Sequence, residues 1–160
     1  MARDNYSQIF SLSTGNELEA ELINVFGDYF AKKGKVVSKS DFRFATSQED
    51  KVFGTDAFIY DLPCDFTLNF KGKDHMAVLN ASISLPQLGA IRFGIRTGNN
   101  SGVRFPMPVL VIGIDATIHI PKHYIRKLID QFIVPRIETI IDVGHKAYWQ
   151  YCDAHKIELA

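Results

Sequence analysis

The chain is poor in the residues that announce a chemistry by themselves. Its 160 residues include only two cysteines, Cys64 and Cys152, and neither stands in a CxxC or any other metal-ligand spacing. A disulfide scaffold is thereby excluded, and two free, buried thiols in a reducing compartment are expected. No apolar run approaches the roughly 18 residues of a membrane span, and the opening residues show no basic leader followed by an apolar stretch. No membrane partner is expected, and the cytoplasm is the expected location. Formal charge is zero, from 18 basic and 18 acidic side chains, so no overall field draws the molecule toward nucleic acid or an anionic surface. GxGxxG, Walker-type and nucleophile-elbow patterns are missing, which withdraws support from nucleotide-cofactor and serine-hydrolase chemistry.

What remains is a chain of one domain's length, 46% hydrophobic and able to bury a core without metal or disulfide support. Residues 1–13 read as a loose lead-in. Asn16 and Glu19 form a capping-box pattern before Leu18, Leu22, Val25, Phe26, Tyr29 and Phe30, which predicts a helix over 17–33 closed by Gly34. Val36 and Val37, then Phe42 and Phe44, suggest a first strand or strand pair, and SQEDK at 47–51 reads as a loop. Alternation over 76–85 and 90–97 predicts two more strands, with GNNSG at 98–102 as a loop. The apolar PVLVIGI at 108–114 predicts a strand covered on both faces. Pro121 opens a second helical stretch, which Pro135 should kink or divide. The expected fold is a single α+β domain over 1–160. It has an N-terminal helix, a mostly antiparallel or mixed sheet of about six strands, and a C-terminal helix or kinked helix pair.

The most chemically suggestive stretch runs from Phe53 to Lys71. It reads as two short strands joined tightly, placing Asp56 and Asp65 at matching points, with Asp65, Thr67, Asn69 and Lys71 on one face. A carboxylate pair on adjacent strands suits Mg²⁺, a hard cation that takes one or two carboxylates with water and phosphate oxygens. Each residue also has a plain structural reading. Glu19 fits a helix cap, with Glu21 as a lesser candidate ligand. Asp56 after Gly54-Thr55 fits a turn, and Asp65 fits an exposed strand face. An acid inside a strand of good β-formers nevertheless runs against propensity, as working residues often do.

Asp56 followed nine positions later by Asp65 resembles the PD-(D/E)XK nuclease superfamily, whose core is a helix followed by a β-meander carrying an Asp and then a (D/E)-x-K strand. Gly15 followed by Glu19 resembles the start of archaeal Holliday-junction resolvases, and the similarity spans residues 15–73. The resemblance implies a restriction-endonuclease-like core and Mg²⁺-dependent hydrolysis of DNA phosphodiester bonds, as in nucleases of mobile elements or phages. By the same resemblance Asp56 and Asp65 are catalytic metal ligands, Glu19 a third ligand, and Lys71 a displaced catalytic lysine. Two departures stand against it. Thr67 occupies the place of the expected lysine, which returns only at Lys71 and Lys73, and strands rather than a helix follow the third core strand. They keep open an inactive nucleic-acid-binding or assembly module of the same fold, or a domain for small ligands or protein partners.

Charge is unevenly spread. Residues 71–113 hold Lys71, Lys73, Arg92, Arg96 and Arg104 against the single acid Asp74. Arg92, Arg96, Arg104 and Lys73 are the candidate nucleic-acid contacts, with DNA favoured over RNA by the resemblance; a solvated sheet face uses the same residues. His119 and His123 have HxxxH spacing broken by Pro121, Cys152 with His155 is too small a set for zinc, and His75 and His145 have no evident partner. Tyr148, Trp149 and Tyr151 fit core or dimer contacts, and the isoleucine-rich terminal helices are compatible with a homodimer.

Overall fold

The computed structural model describes residues 18–31, 41–72, 76–96, 99–100, 103–104 and 107–155. Helix α1 spans 18–31. It is followed by β1 (Phe42–Phe44), α2 (Ser47–Phe53), β2 (Ala57–Ile59), β3 (Leu62–Thr67) and a 3-10 turn at Phe70–Gly72. Next come β4 (Ala77–Leu85), β5 (Gly89–Arg96), β6 (Asn99–Asn100), β7 (Val103–Arg104) and β8 (Val109–Ala116). Helix α3 (Lys122–Leu128), a π-helical turn (Ile129–Ile133), a 3-10 turn (Val134–Arg136) and α4 (Ile137–Ala154) complete the order. The chain is thus α+β, with a six-stranded mixed sheet in the order β1-β2-β3-β8-β5-β4 and a separate β6-β7 ribbon.

The β2-β3 hairpin closes through Tyr60 and Asp61, whose φ values of 49° and 66° give the left-handed pair that matches strand twist in a two-residue connection. All sheet pairings are antiparallel except β3 with β8, where Asp65 stands opposite Val111. The uninterrupted apolar run of β8 belongs in the middle of the sheet, and Val109 to Ile112 are almost completely buried there. One sheet face meets the helices. Phe26 of α1 packs on Phe66 with ring centroids 5.0 Å apart. A Cβ added to Gly144 of α4 would lie 2.9 Å from Phe93, so the absent side chain lets this helix approach β5. Ile137, Ile140, Ile141, Gly144, Ala147, Tyr148 and Cys152 supply the buried stripe of α4 at spacings of three and four. The Tyr148 hydroxyl, buried with it, donates to the Pro108 carbonyl at 2.8 Å.

Several expectations need correction. The segment 47–51 is helical because Thr46 and Glu49 form a reciprocal capping box, while Gly54 closes the helix at φ 65°. Glu49 also meets Arg43 through two bonds of 2.9 Å. The expected 98–102 loop contains the Asn99–Asn100 strand of a short ribbon. Pro135 divides the C-terminal helix through a widened turn, in which the Val134 N–H reaches the Ile129 carbonyl and the Arg136 side chain donates to the Phe132 carbonyl at 3.0 Å. Both cysteines are free and buried. Among the described residues, no helix is long and apolar enough to cross a membrane. Residues 1–13, Asn16, Gly34, Val36, Val37, Lys73 and His75 lie outside the described residues.

Candidate functional site

The sheet face turned away from α1 and α4 carries the charges. Strand register puts Asp65, Val111 and Gly94 in one row, and Thr67, Gly113 and Arg92 in the next row of the same face. Asp56 immediately precedes β2, and its N–H donates to the Cys64 carbonyl at 2.8 Å, so it lies beside Asp65 as the hairpin register requires. Its Oδ2 accepts from the Phe66 N–H at 2.9 Å. The Asp65 carboxyl lies close enough to act on that of Asp56. Burial first, then the neighbouring Asp65 carboxyl and its charge, push the Asp56 carboxyl up to about 8, with the Phe66 N–H pulling the other way. A proton shared between two acids is the ordinary answer to like charges crowded together in a poorly hydrated place.

Among the described residues, Arg96 is a cation beside this pair. Its Nη1 lies 3.2 Å from Asp65 Oδ2, a charge contact without the alignment of a hydrogen bond. Its Nη2 donates to the Gly54 carbonyl at 2.7 Å. The guanidinium thus bridges the acid pair to the C-terminal end of α2, where the helix dipole favours positive charge. Gly54 is needed there twice over: its backbone is left-handed, and an added Cβ would lie 2.6 Å from Arg96 Nη2.

The remaining predicted site residues fall elsewhere. Thr67 is buried and caps the end of its strand, its Oγ1 accepting from Asn69 N–H at 3.0 Å. Thr67 and Phe70 together fill the space over Gly113, where an added Cβ would lie 2.5 Å from Thr67 Cγ2. β3 ends at Thr67, so the expected shared face does not continue to Lys71. Lys71 instead pairs with Asp115 at 3.3 Å, while Arg92 approaches the same acid at 3.9 Å. Asp115 stands four residues along β8 from Val111, the partner of Asp65, which puts the Lys71 amine roughly 13 Å from the acid pair at about 3.3 Å per residue. Glu19 also stays apart. Its Oε2 accepts from the Leu68 N–H at 3.1 Å, just past the end of β3. Among the described residues no group of three or more His, Cys, Asp or Glu side chains is arranged to hold a metal ion. Arg104 lies on β7.

Asp115 is not among the site residues read from the sequence, and Arg96 is read there as a nucleic-acid contact, not as a neighbour of the acid pair. Asp115 sits at the end of β8, on the same parity as Val111 and Gly113, and organises Lys71 and Arg92. Both Arg96 and Arg92 face carboxylates. The acid that ends the apolar run of β8 was the available signal for Asp115. Nothing local marks the Arg96–Asp65 pair, since β8 lies between their strands.

No protein-family model matches the chain, and neither a curated protein nor a solved structure matches it.

The chemistry of the donors still fits a divalent ion in number and kind. Mg²⁺ is usually held by one or two carboxylates, with water and substrate phosphate completing its shell. Asp56 and Asp65 lie side by side in the hairpin register, so their two carboxyls are the hard oxygen donors such an ion would use.

Proposed function

We propose that this chain is a restriction-endonuclease-like phosphodiesterase that hydrolyses DNA with Mg²⁺. The supporting observation is the convergence of the Asp56 and Asp65 carboxyls from the start of one strand and the middle of its neighbour. Asp56 and Asp65 would hold the ion, which would supply Lewis-acid stabilisation of the phosphate and lower the pKa of the attacking water. The Phe66 N–H fixes the Asp56 carboxyl, and the αL turn at Gly54 sets the angle at which the chain enters the site. Arg96 is the nearby cation in a chain that has Thr67 where a lysine is expected, and its planar fork suits phosphate oxygens. Incubation of the purified protein with single-stranded, duplex and branched DNA in Mg²⁺ or Mn²⁺ gives cleavage that Asp65→Asn abolishes. DNA left intact under every condition contradicts the reading.

A specific observation favours a second reading. Thr67 is buried where a lysine is expected and Lys71 pairs with Asp115, which suits a nucleic-acid-binding module that does not cleave. Such a module binds DNA without metal, keeps binding after Asp65→Asn, and loses affinity and salt dependence after Arg92→Ala.

A further inference from the structure

Resting on the reading of Asp56 and Asp65 as metal ligands, we propose that Arg96 is an internal latch: it takes the cation's place at Asp65 and keeps the site closed to divalent ions until a phosphate group draws the guanidinium away.

The arginine is held at both ends of its fork, by Asp65 Oδ2 at 3.2 Å and by the Gly54 carbonyl at 2.7 Å. Both charged side chains are largely buried, with 18% of the arginine and 8% of the aspartate exposed. A divalent ion on Asp65 takes its oxygen at about 2.1 Å and therefore stands within a few ångströms of the guanidinium. Water screens little of the resulting repulsion in so enclosed a place. Metal and latch therefore compete for one carboxylate.

Two features make the latch releasable. Arg96 is the last residue of β5, so its side chain can swing without breaking the sheet ladder. Its fork also matches the oxygens of a phosphodiester, which offers a charge-assisted alternative to Asp65. The seat itself is shaped to the guanidinium, because a side chain on Gly54 would meet Nη2. The Lys71–Asp115–Arg92 cluster lacks this confinement: Lys71 is 67% exposed and Arg92 38%. There Asp115 is itself only 17% exposed, but both cations reach water and exert no comparable block.

The test is Mn²⁺ binding, followed by calorimetry on the full chain without DNA. Arg96→Gln and Arg96→Met remove the charge while keeping bulk, and each is first checked for folding by its thermal transition. Both bind Mn²⁺ at least about tenfold more tightly than wild type, within the range of strong coupling between sites, and Asp65→Asn in either background removes the gain. Equal, measurable affinity in wild type and the neutral variants overturns the latch and leaves the metal reading standing. Absence of Mn²⁺ binding in all of them overturns both. The wild-type protein gives a second readout that needs no substitution. As Mg²⁺ occupies the site in the presence of a phosphorothioate oligonucleotide, the Arg96 Nε–H resonance shifts in step with occupancy. A resonance that stays fixed while metal binds contradicts the latch.

Discussion

The same sheet face carries two clusters of carboxylate and cation that differ chiefly in their exposure to water. At one end, Asp56, Asp65 and Arg96 are closed beneath the last turn of α2. At the other, a largely buried Asp115 meets Lys71 and Arg92, whose side chains reach solvent. The first cluster drives a carboxyl far from its ordinary titration range, because burial leaves its charge poorly solvated. In the second, water screens the pairing and long side chains lose entropy to hold it. Charge pattern alone therefore cannot tell the two ends of the face apart. Enclosure by α2, a helix read from sequence as a loop, does so.

The sharpest way to break this contrast is to delete the arginine from each cluster. Arg96→Ala leaves Asp65 buried beside Asp56 without its cation and lowers stability by about 3–5 kcal/mol, whereas Arg92→Ala changes it by about 0.5 kcal/mol or less. Urea unfolding of the two variants measures both, and equal losses contradict the contrast. The next effect is on pH. Asp56 titrates near 8 in the fold against an ordinary value of 3.8, so the folded state binds more protons than the unfolded state between those values. Stability from this group is fully present below 3.8 and is lost as pH rises through about 8. Unfolding series across that window show the decline in wild type and a flatter curve in Asp56→Asn.

A third variant probes the packing between the clusters. Gly113→Ala drives a methyl against Thr67 and Phe70 and lowers stability by about 1–3 kcal/mol, which thermal unfolding measures. The smallest effect is at the open end. Asp115→Asn alters stability by less than about 1 kcal/mol, and the change shrinks further in high salt.

Much of the architecture was readable in local pattern. The period-two strands 76–85 and 90–97, the apolar strand at 108–114, and the prolines that open and divide the C-terminal helices all belong to observed elements. The convergence of Asp56 and Asp65 was also readable, because a tight hairpin sets its own register. Helix α2 was missed although Thr46-x-x-Glu49 carries a capping-box signature, since SQEDK lacks an apolar stripe long enough to reveal a period. The cation at the acid pair was out of reach for a different reason. Lys71 was extrapolated along β3, but the strand ends at Thr67, where the side chain turns back to cap the backbone. Arg96 arrives from β5 because β8, far later in sequence, inserts between the strands. That insertion is a tertiary fact with no local mark.

The central claim is that Asp56 and Asp65 together receive one divalent ion when a phosphate is present. Anomalous diffraction from crystals grown with Mn²⁺ and a phosphorothioate oligonucleotide tests it directly. The account predicts a single peak at about 2.1 Å from a carboxylate oxygen of each aspartate, with the Arg96 guanidinium moved off Asp65. Mn²⁺ absent from that position, with Arg96 still seated between Asp65 and the Gly54 carbonyl beside bound oligonucleotide, contradicts it.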